Sequence, residues 1–232
     1  KTYIATETGS YHVVVTNVNG CSSSPSLPTQ VTASPYPELP NISPAGATTF
    51  CEGGVVTLTS SSSVGNQWYK NGILIPGANG QTLGVNEIGN YTVKVTNQAG
   101  CASTISAATN VTVNKVPKGF DDVVNSLSCA QSSFSYNLQT KNVNNIQKGG
   151  NAVAAGFTWT VNSTVQGAVN GSGKVLNATL INTTTTEQYV VYLVTPIAEA
   201  GGCAGQPFKI TVRVPVCLDI AITKSANRTN VS

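Results

Sequence analysis

The chain has 232 residues, of which only 9% are charged, and its formal net charge is +3. So few and so scattered charges exclude the basic surface of a nucleic-acid-binding protein, and no apolar run is long enough to cross a membrane as a helix. Thr, Ser, Asn, Val and Gly take the place of the charges, a composition that favours antiparallel sheets with neutral polar faces.

The first recognisable element is a short stretch that occurs twice, 80 residues apart. Residues 9–21 read GSYHVVVTNVNGC and residues 89–101 read GNYTVKVTNQAGC. Each copy has alternating apolar residues, a turn rich in Asn and Gly, and a cysteine, which predicts a half-buried strand followed by a tight turn. A fixed spacing predicts tandem β-domains, so we expect residue 1 to lie inside a domain.

Residues 1–36 are expected to form the last three strands of a truncated immunoglobulin-like domain. The alternation places these strands at residues 2–6, 10–16 and 29–33. A segment with three closely spaced prolines follows, and it predicts a short, stiff linker because proline fixes φ and cannot continue a strand ladder.

Residues 37–116 predict one complete domain. Seven or so short strands, a central Trp68 and a Gly-x-Tyr corner at Tyr91 indicate an immunoglobulin-like sandwich. Ser60 and Val93 stand where antibody domains carry their cysteine pair between the sheets. The cysteines of this domain are predicted at turns instead.

Residues 117–216 predict a second sandwich with a different sequence. One strand alternates around Trp159, and residues 189–194 are apolar on both faces, as in a central strand. The connection 139–156 is long and rich in Asn and Gly, which predicts a functional or mobile loop. Residues 217–232 begin the alternation again and predict the start of a further truncated β-domain.

Four aromatic residues on alternating strands are predicted to lie in sandwich cores. A core position is favoured over an exposed sugar-binding platform because a buried aromatic is the usual feature of such a strand. These residues are Tyr11, Trp68, Tyr91 and Trp159.

No cluster of residues predicts catalysis, a cofactor or a metal site. The single histidine, His12, lies on the outward face of a strand, which argues against zinc and against a serine–histidine–acid triad. Asp121 and Asp122 lack nearby oxygen ligands, so a solvated linker is favoured over calcium binding. Residues 171–174 lack the glycine spacing of a phosphate-binding loop, which favours a solvated turn.

Six cysteines carry the sharpest prediction. They lie at β-turns or domain junctions, with neither a CxxC motif nor a histidine partner, and this predicts disulfides in an oxidising, extracellular setting. They are Cys21, Cys51, Cys101, Cys129, Cys203 and Cys217.

Pairing within domains is the first of two arrangements. It joins Cys51 to Cys101 and Cys129 to Cys203, and it leaves Cys217 without a partner. Cys51 and Cys101 would then lie at opposite ends of a sandwich, which a seven-residue strand separates by ~23 Å. A disulfide needs Cα atoms within ~7 Å.

Pairing between neighbouring domains is the second arrangement. It joins Cys51 to Cys203 and Cys129 to Cys217, and the two remaining cysteines would bond partners that precede residue 1. Such bonds would restrain domains that otherwise pivot about their linkers. The sequence leaves both arrangements open.

Three segments of the first complete domain resemble a known repeat. Residues 50–59 (FCEGGVVTLT), 67–72 (QWYKNG) and 89–101 resemble the Ig-like repeats of giant surface proteins of gliding bacteria. Those proteins leave the cell by type IX secretion, and the SprB-like gliding adhesins are the best-known group.

The second domain resembles the PKD-like domain of the same proteins. The resemblance rests on residues 157–161 (FTWTV), 191–196 (VYLVTP) and 202–205 (GCAG), and residues 218–227 resemble the opening of another repeat of these stalks. It implies an all-β chain of tandem Ig-like and PKD-like sandwiches, arranged as beads on a string.

The resemblance implies a structural stalk rather than an enzyme. The expected role is a force-transmitting filament segment of a secreted adhesin for gliding motility and attachment, outside the cell and associated with the outer membrane. The expected partners are neighbouring domains of the same chain, the secretion and motility machinery, and extracellular surfaces or polysaccharide; no cofactor is expected. Two alternatives stay open: a polysaccharide-binding module acting through residues 139–156, and an accessory module of a secreted hydrolase.

Overall fold

The computed structural model describes residues 1–128 and 132–217. The described chain is nearly all β, which confirms the expected fold class, and none of its helices is long and apolar enough to cross a membrane. The short helices are a π-helix at Gln139–Val143 and a 3₁₀ helix at Ile146–Lys148. The strands are β1 Gly9–Tyr11, β2 Thr29–Val31, β3 Ile42–Pro44, β4 Thr49–Cys51, β5 Val56–Ser60, β6 Asn66–Lys70, β7 Ile73–Leu74, β8 Thr82–Val85, β9 Gly89–Val95, β10 Thr109–Asn114, β11 Asp122–Val124, β12 Ser133–Asn137, β13 Ala155–Val161, β14 Gly171–Ser172, β15 Val175–Thr179, β16 Gln188–Ala198 and β17 Phe208–Val214.

The chain divides into two compact units. The first contains Lys1–Thr48 and Val55–Thr112, and the second contains Thr49–Gly54 together with the chain from Val113 onward. The short segment Thr49–Gly54 thus groups with the second unit, although the sequence places it within the domain 37–116. The four-domain division stays a prediction.

Besides the two-stranded sheet β1-β2, the first unit has the sheet β3-β5-β8 and the strands β10-β9-β6-β7 of a second sheet, whose outermost strand is β4. Alternating residues of both sheets are buried, among them Leu58 of β5, Trp68 of β6 and Val93 of β9. The indole N–H of Trp68 donates to the carbonyl oxygen of Gly80 at 2.9 Å, so its polar atom is satisfied inside the core. Tyr91 is buried as well, and its hydroxyl donates to the Glu87 carbonyl oxygen at 3.0 Å.

The segment 1–36 differs from its prediction. Residues 2–6 form no strand, and the other two predicted strands shorten to β1 and β2, which pair only with each other. Tyr11, predicted in a core, is only half-buried, and Val13 is 62% exposed although its repeat equivalent Val93 is buried. The reason is that this two-stranded sheet leaves uncovered the face that a full sandwich would bury.

The second unit has a five-stranded sheet, β11-β17-β16-β13-β14, and a two-stranded sheet, β12-β15. Its core takes side chains from both sheets, including Phe134, Trp159 and Leu176. β16 lies in the middle of the larger sheet, where its sequence predicted it. Only one of its faces is buried, however, because Val190 and Tyr192 point inward while Tyr189 is 55% exposed.

A hydroxyl in this core carries a testable consequence. Tyr192 is 1% exposed, and its hydroxyl has no hydrogen-bond partner among the described residues. A buried polar group without a partner costs about 1–3 kcal/mol. We therefore expect Tyr192→Phe to raise the free energy of unfolding by about 1 kcal/mol in denaturant titrations.

Tyr136→Phe is the matched control for this change. The Tyr136 hydroxyl is also buried but donates to Asp122 Oδ2 at 2.7 Å, so its removal should lower the free energy of unfolding by about 1.5–3 kcal/mol. Equal effects of the two substitutions on the free energy of unfolding would contradict the conclusion that the Tyr192 hydroxyl is buried without a hydrogen-bond partner.

Alkaline titration gives a second readout of Tyr192. Burial raises its pKa to about 12, so the folded state favours the neutral hydroxyl. The resulting stability is complete below the unfolded pKa of about 10 and is lost as the pH rises towards 12. Tyr192→Phe should remove this part of the alkaline destabilisation.

Candidate functional site: the disulfide between Cys51 and Cys203

A disulfide joins the end of β4 to the turn that follows β16. The Cα atoms of Cys51 and Cys203 are 5.7 Å apart, although 152 residues separate them in the sequence. This distance lies within the normal range for a disulfide. Of the two pairings that the sequence left open, the structure contains the one between predicted domains.

Backbone hydrogen bonds fix the chain on either side of Cys51. The Glu52 amide donates to the carbonyl oxygen of Asn114 at 2.8 Å, at the end of β10, and the Gly54 amide donates to the Cys51 carbonyl oxygen at 2.9 Å. Gly53 closes this turn with a φ of 93°, a conformation that favours glycine. The sequence Cys-Glu-Gly-Gly therefore presents the Cys51 sulfur from a closed turn.

The turn that carries Cys203 is held from two sides. The Ala198 amide donates to the Cys203 carbonyl oxygen at 2.8 Å, and the Glu199 amide donates to Ala154 O at 2.9 Å. A Cβ on Gly201 would lie 2.2 Å from Asn114 Nδ2, so the turn packs directly against this side chain. Cys203 itself is only 1% exposed.

Two asparagines hold the segment between β10 and β11. Asn142 is fully buried, and its amide accepts from the Phe120 N–H at 3.0 Å and donates to Phe120 O at 2.7 Å. Asn151 repeats this pattern, since it accepts from the Lys118 N–H at 2.9 Å and donates to Val116 O at 2.8 Å. A side-chain amide that bonds both backbone groups of a segment fixes it much as a neighbouring strand would.

These contacts change the interpretation of residues 139–156. The sequence predicted a functional or mobile loop, whereas the segment folds into the π-helix and the 3₁₀ helix. Gln139 joins its ends, because its side chain donates to Val153 O at 3.1 Å and accepts from the Ala155 N–H at 2.9 Å. The side chains of Gln139, Asn142 and Asn151 thus bond the protein itself.

Asp121 and Asp122, predicted in a solvated linker, both accept hydrogen bonds from the protein, although Asp121 is exposed and only Asp122 is partly buried. Asp121 Oδ1 accepts from the Lys209 N–H at 2.7 Å, and Asp122 Oδ2 accepts from the Tyr136 hydroxyl. Asp122 begins β11, which pairs in parallel with β17. Burial, followed by the hydrogen bond to Asp122, raises the pKa of Tyr136. Both carboxylates therefore anchor the chain at the start of β11.

The remaining cysteines fall into three states. Cys21 is an exposed free thiol and Cys101 a partly buried one. Cys217 is disulfide-bonded, and its predicted partner Cys129 lies outside the described residues. The proposed pairing of Cys129 with Cys217 therefore stays a prediction.

The other residues considered in the sequence have separate structural roles. Trp68 and Trp159 are buried in different units, and His12 is exposed. Gly171 packs under the Trp159 ring, and Lys174 forms an ion pair with Glu199 at 2.6 Å. Within residues 1–128 and 132–217, no three His, Cys, Asp or Glu side chains come together as a metal site.

Sequence reasoning missed three asparagines: Asn114, which lies beside the disulfide, and Asn142 and Asn151, which hold the segment between β10 and β11. Asparagine is abundant throughout this chain, so its presence in a loop carried no signal. The only hint was the concentration of Asn and Gly between residues 139 and 156, which is as compatible with a mobile loop as with a folded segment.

Comparison with known proteins identifies part of the second unit. Residues 126–216 match the family model of the PKD-like domain. Over these residues the chain is similar to the PKD-like domain. Cys203 and every strand from β12 to β17 lie within the matched residues.

No curated protein sequence matches the chain. Among solved structures it is similar to domains A168–A170 of titin, with 15% identity over 90% of this chain and 74% of that one, at a TM-score of 0.38. A Ca²⁺-stabilized adhesin that helps an Antarctic bacterium bind ice gives 12% identity over 88% of this chain and 55% of the adhesin, at 0.36. The ligand-binding domain of human OSCAR gives 12% identity over 78% of this chain and all of that one, at 0.29.

Proposed function

We propose that this chain is a structural, non-catalytic segment of the stalk of a secreted surface adhesin, and that it carries tension. The finer proposal is an adhesin of the SprB-like kind, exported by type IX secretion and used in gliding motility and attachment. The PKD-like domain supports a role in a surface protein, and the resemblance of residues 50–59 and 89–101 to Ig-like stalk repeats supports the finer proposal.

The Cys51–Cys203 bond is the observation that carries this proposal. It closes a covalent loop that contains every strand from β5 to β16. When the chain is pulled from points before Cys51 and after Cys203, tension passes through the sulfur atoms and bypasses the loop. The strands within the loop can then lose their hydrogen bonds without lengthening the tether.

The extended length of the loop that the disulfide closes is large compared with the Cα separation of its two cysteines. A loop of 152 residues has an extended length of about 500 Å at roughly 3.4 Å per residue. The disulfide replaces this length by a Cα separation of 5.7 Å. A stalk built in this way keeps its reach under load, which is the property that attachment at a distance requires.

Single-molecule stretching of the full chain between handles at its two ends tests the proposal. Without reductant we expect no extension from residues 52–202. The Cys51→Ser/Cys203→Ser double variant should release about 500 Å more on complete unfolding. The double variant is preferable to reductant alone, because reductant also opens the bond of Cys217.

The matched control is the Cys21→Ser/Cys101→Ser variant, which removes two cysteines that are free thiols in the described chain. It should stretch like the unmodified protein. If the unmodified chain and the Cys51→Ser/Cys203→Ser variant released the same length, the disulfide would lie outside the path of tension and the proposal would fail.

The proposed location is the cell surface, outside the reducing cytoplasm. The disulfide supports an oxidising compartment. In this proposal the partners are the neighbouring domains of the same chain, the outer-membrane secretion and motility machinery, and an extracellular surface or polysaccharide gripped elsewhere on the adhesin. Polysaccharide binding by residues 139–156 is not proposed, because Gln139, Asn142 and Asn151 already bond the chain itself.

A further inference from the structure

The turn that carries Cys101 has the same hydrogen-bond pattern as the turn that carries Cys203. The Asn97 amide donates to the Cys101 carbonyl oxygen at 2.9 Å, as Ala198 does to Cys203. Two residues after each cysteine, an amide returns to the preceding strand: Ser103 N–H to Val95 O and Gly205 N–H to Pro196 O, each at 2.8 Å.

Isolated β-bridges confirm the correspondence of the two turns. Thr96 pairs with Ala102, and Ile197 pairs with Ala204, so the residue after each cysteine pairs with the residue that precedes Asn97 or Ala198. Cys101 and Cys203 thus occupy one structural position in two domains of different sequence. In the second domain this position holds a disulfide.

The surroundings of Cys203 show where its partner comes from. Cys51 precedes Glu52, whose amide binds the Asn114 carbonyl oxygen, and Gly201 packs against the side chain of the same asparagine. Asn114 therefore lies between the turn that carries Cys203 and the segment that supplies Cys51. The segment with the partner cysteine of Cys203 thus binds next to Asn114.

Cys101 lies beside the residue that corresponds to Asn114. Its Sγ is 3.7 Å from the carbonyl oxygen of Ser34, and the Asn97 side chain donates to Pro35 O at 2.9 Å. Ser34 precedes Asn114 by 80 residues, the spacing of the internal repeat. The Asn114 carbonyl oxygen accepts from the Glu52 amide, whereas the equivalent carbonyl oxygen, that of Ser34, is contacted by the Cys101 thiol.

We propose that Cys101 forms a second disulfide equivalent to Cys51–Cys203, here called the second clamp. Its partner is a cysteine on a β4-like segment, of the Phe-Cys-Glu-Gly-Gly type, in the module that precedes residues 37–116. This inference rests on the proposed function and extends it from one bond to a repeated device. Formation of the bond converts two thiols to a disulfide and transfers two electrons and two protons to a disulfide oxidant, which oxidised glutathione supplies in the test.

The test is a chain in which residues 37–116 are duplicated, so that residues 1–116 are followed by residues 37–232. The first copy then offers its Cys51 to Cys101 of the second copy. After refolding with oxidised glutathione, peptide mapping without reduction should recover a Cys51–Cys101 peptide between the copies. Thiol titration should then give the same number of free thiols as a duplicate with Cys101→Ser in the second copy and Cys51→Ser in the first, whereas an unformed bond would give two more.

The native bond of the second copy's Cys51 to Cys203 reports whether this chain has folded. Formation of that bond without the Cys51–Cys101 peptide would overturn the proposal. If the duplicated chain does not fold, the unmodified protein is incubated with a peptide of residues 45–57 and oxidised glutathione. Cross-linking to Cys101 that exceeds the yield with a scrambled peptide supports the proposal, and equal yields overturn it.

These outcomes are separate from those of the stretching experiment. A missing second clamp leaves the force path through Cys51 and Cys203 unchanged, so the proposed function stands. Conversely, a duplicated chain that forms both bonds but lengthens under load like the disulfide-free variant would contradict the proposed function and leave the chemistry of Cys101 intact.

Discussion

Loss of the Cys51–Cys203 disulfide should lower the free energy of unfolding by about 5 kcal/mol. The bond closes a loop of 152 residues, and the entropy that such a loop removes from the unfolded chain grows with the logarithm of its length. A loop of this size lies near the upper end of the stabilisation that disulfides provide. The folded state loses little else, because the Glu52 and Ala198 hydrogen bonds do not involve the sulfur atoms.

Guanidinium unfolding of the Cys51→Ser/Cys203→Ser variant measures this effect, summed over the transitions of the chain. The double substitution avoids the new free thiol that either single change would leave. Cys21→Ser/Cys101→Ser is the control and should change the free energy of unfolding by less than about 0.5 kcal/mol, since both residues are free thiols in the described chain. Equal losses in the two variants would show that the cross-link contributes nothing.

Lengths alone argued against pairing Cys51 with Cys101, but the sequence left open whether Cys51 pairs with Cys101 or Cys203. Alternation gives the strand direction and strand length, and a strand of about seven residues separates the ends of a sandwich by more than a disulfide can span. The all-β architecture could be predicted in the same way. Alternating apolar residues, Trp68 at the centre and turn residues at regular intervals are local signals that packing in the structure does not override.

Other features depend on contacts that the sequence does not encode locally. Tyr11 and Tyr91 have nearly the same flanking residues and the same hydrogen bond, from the hydroxyl to the carbonyl oxygen four residues earlier. Only Tyr91 is in a core, because burial requires a facing sheet that the pattern of one strand cannot reveal. Asp122 was mistaken for a solvated residue because its partner Tyr136 lies on another strand.

Asn142→Ala should lower the free energy of unfolding by about 2–4 kcal/mol, the second-largest effect of a substitution that we expect. Asn142 is fully buried and satisfies both the N–H and the carbonyl oxygen of Phe120. Alanine would leave both backbone groups without this partner and open a space next to Gly119, where Asn142 Oδ1 now lies 2.7 Å from the position of a Cβ. Two lost hydrogen bonds at a site closed to water account for the expected magnitude.

Asn151→Ala is the matched control for this prediction. Asn151 makes the same pair of bonds, to Lys118 and Val116, but it is only partly buried, so water can replace the amide and the loss should be about 1 kcal/mol. Amide hydrogen exchange locates the effect, because Asn142→Ala should speed exchange at Phe120 and Asn151→Ala at Lys118. A loss for Asn142→Ala no larger than that for Asn151→Ala would mean that Asn142 does not hold the segment before β11. The fixed path between β10 and β11 would then need another origin.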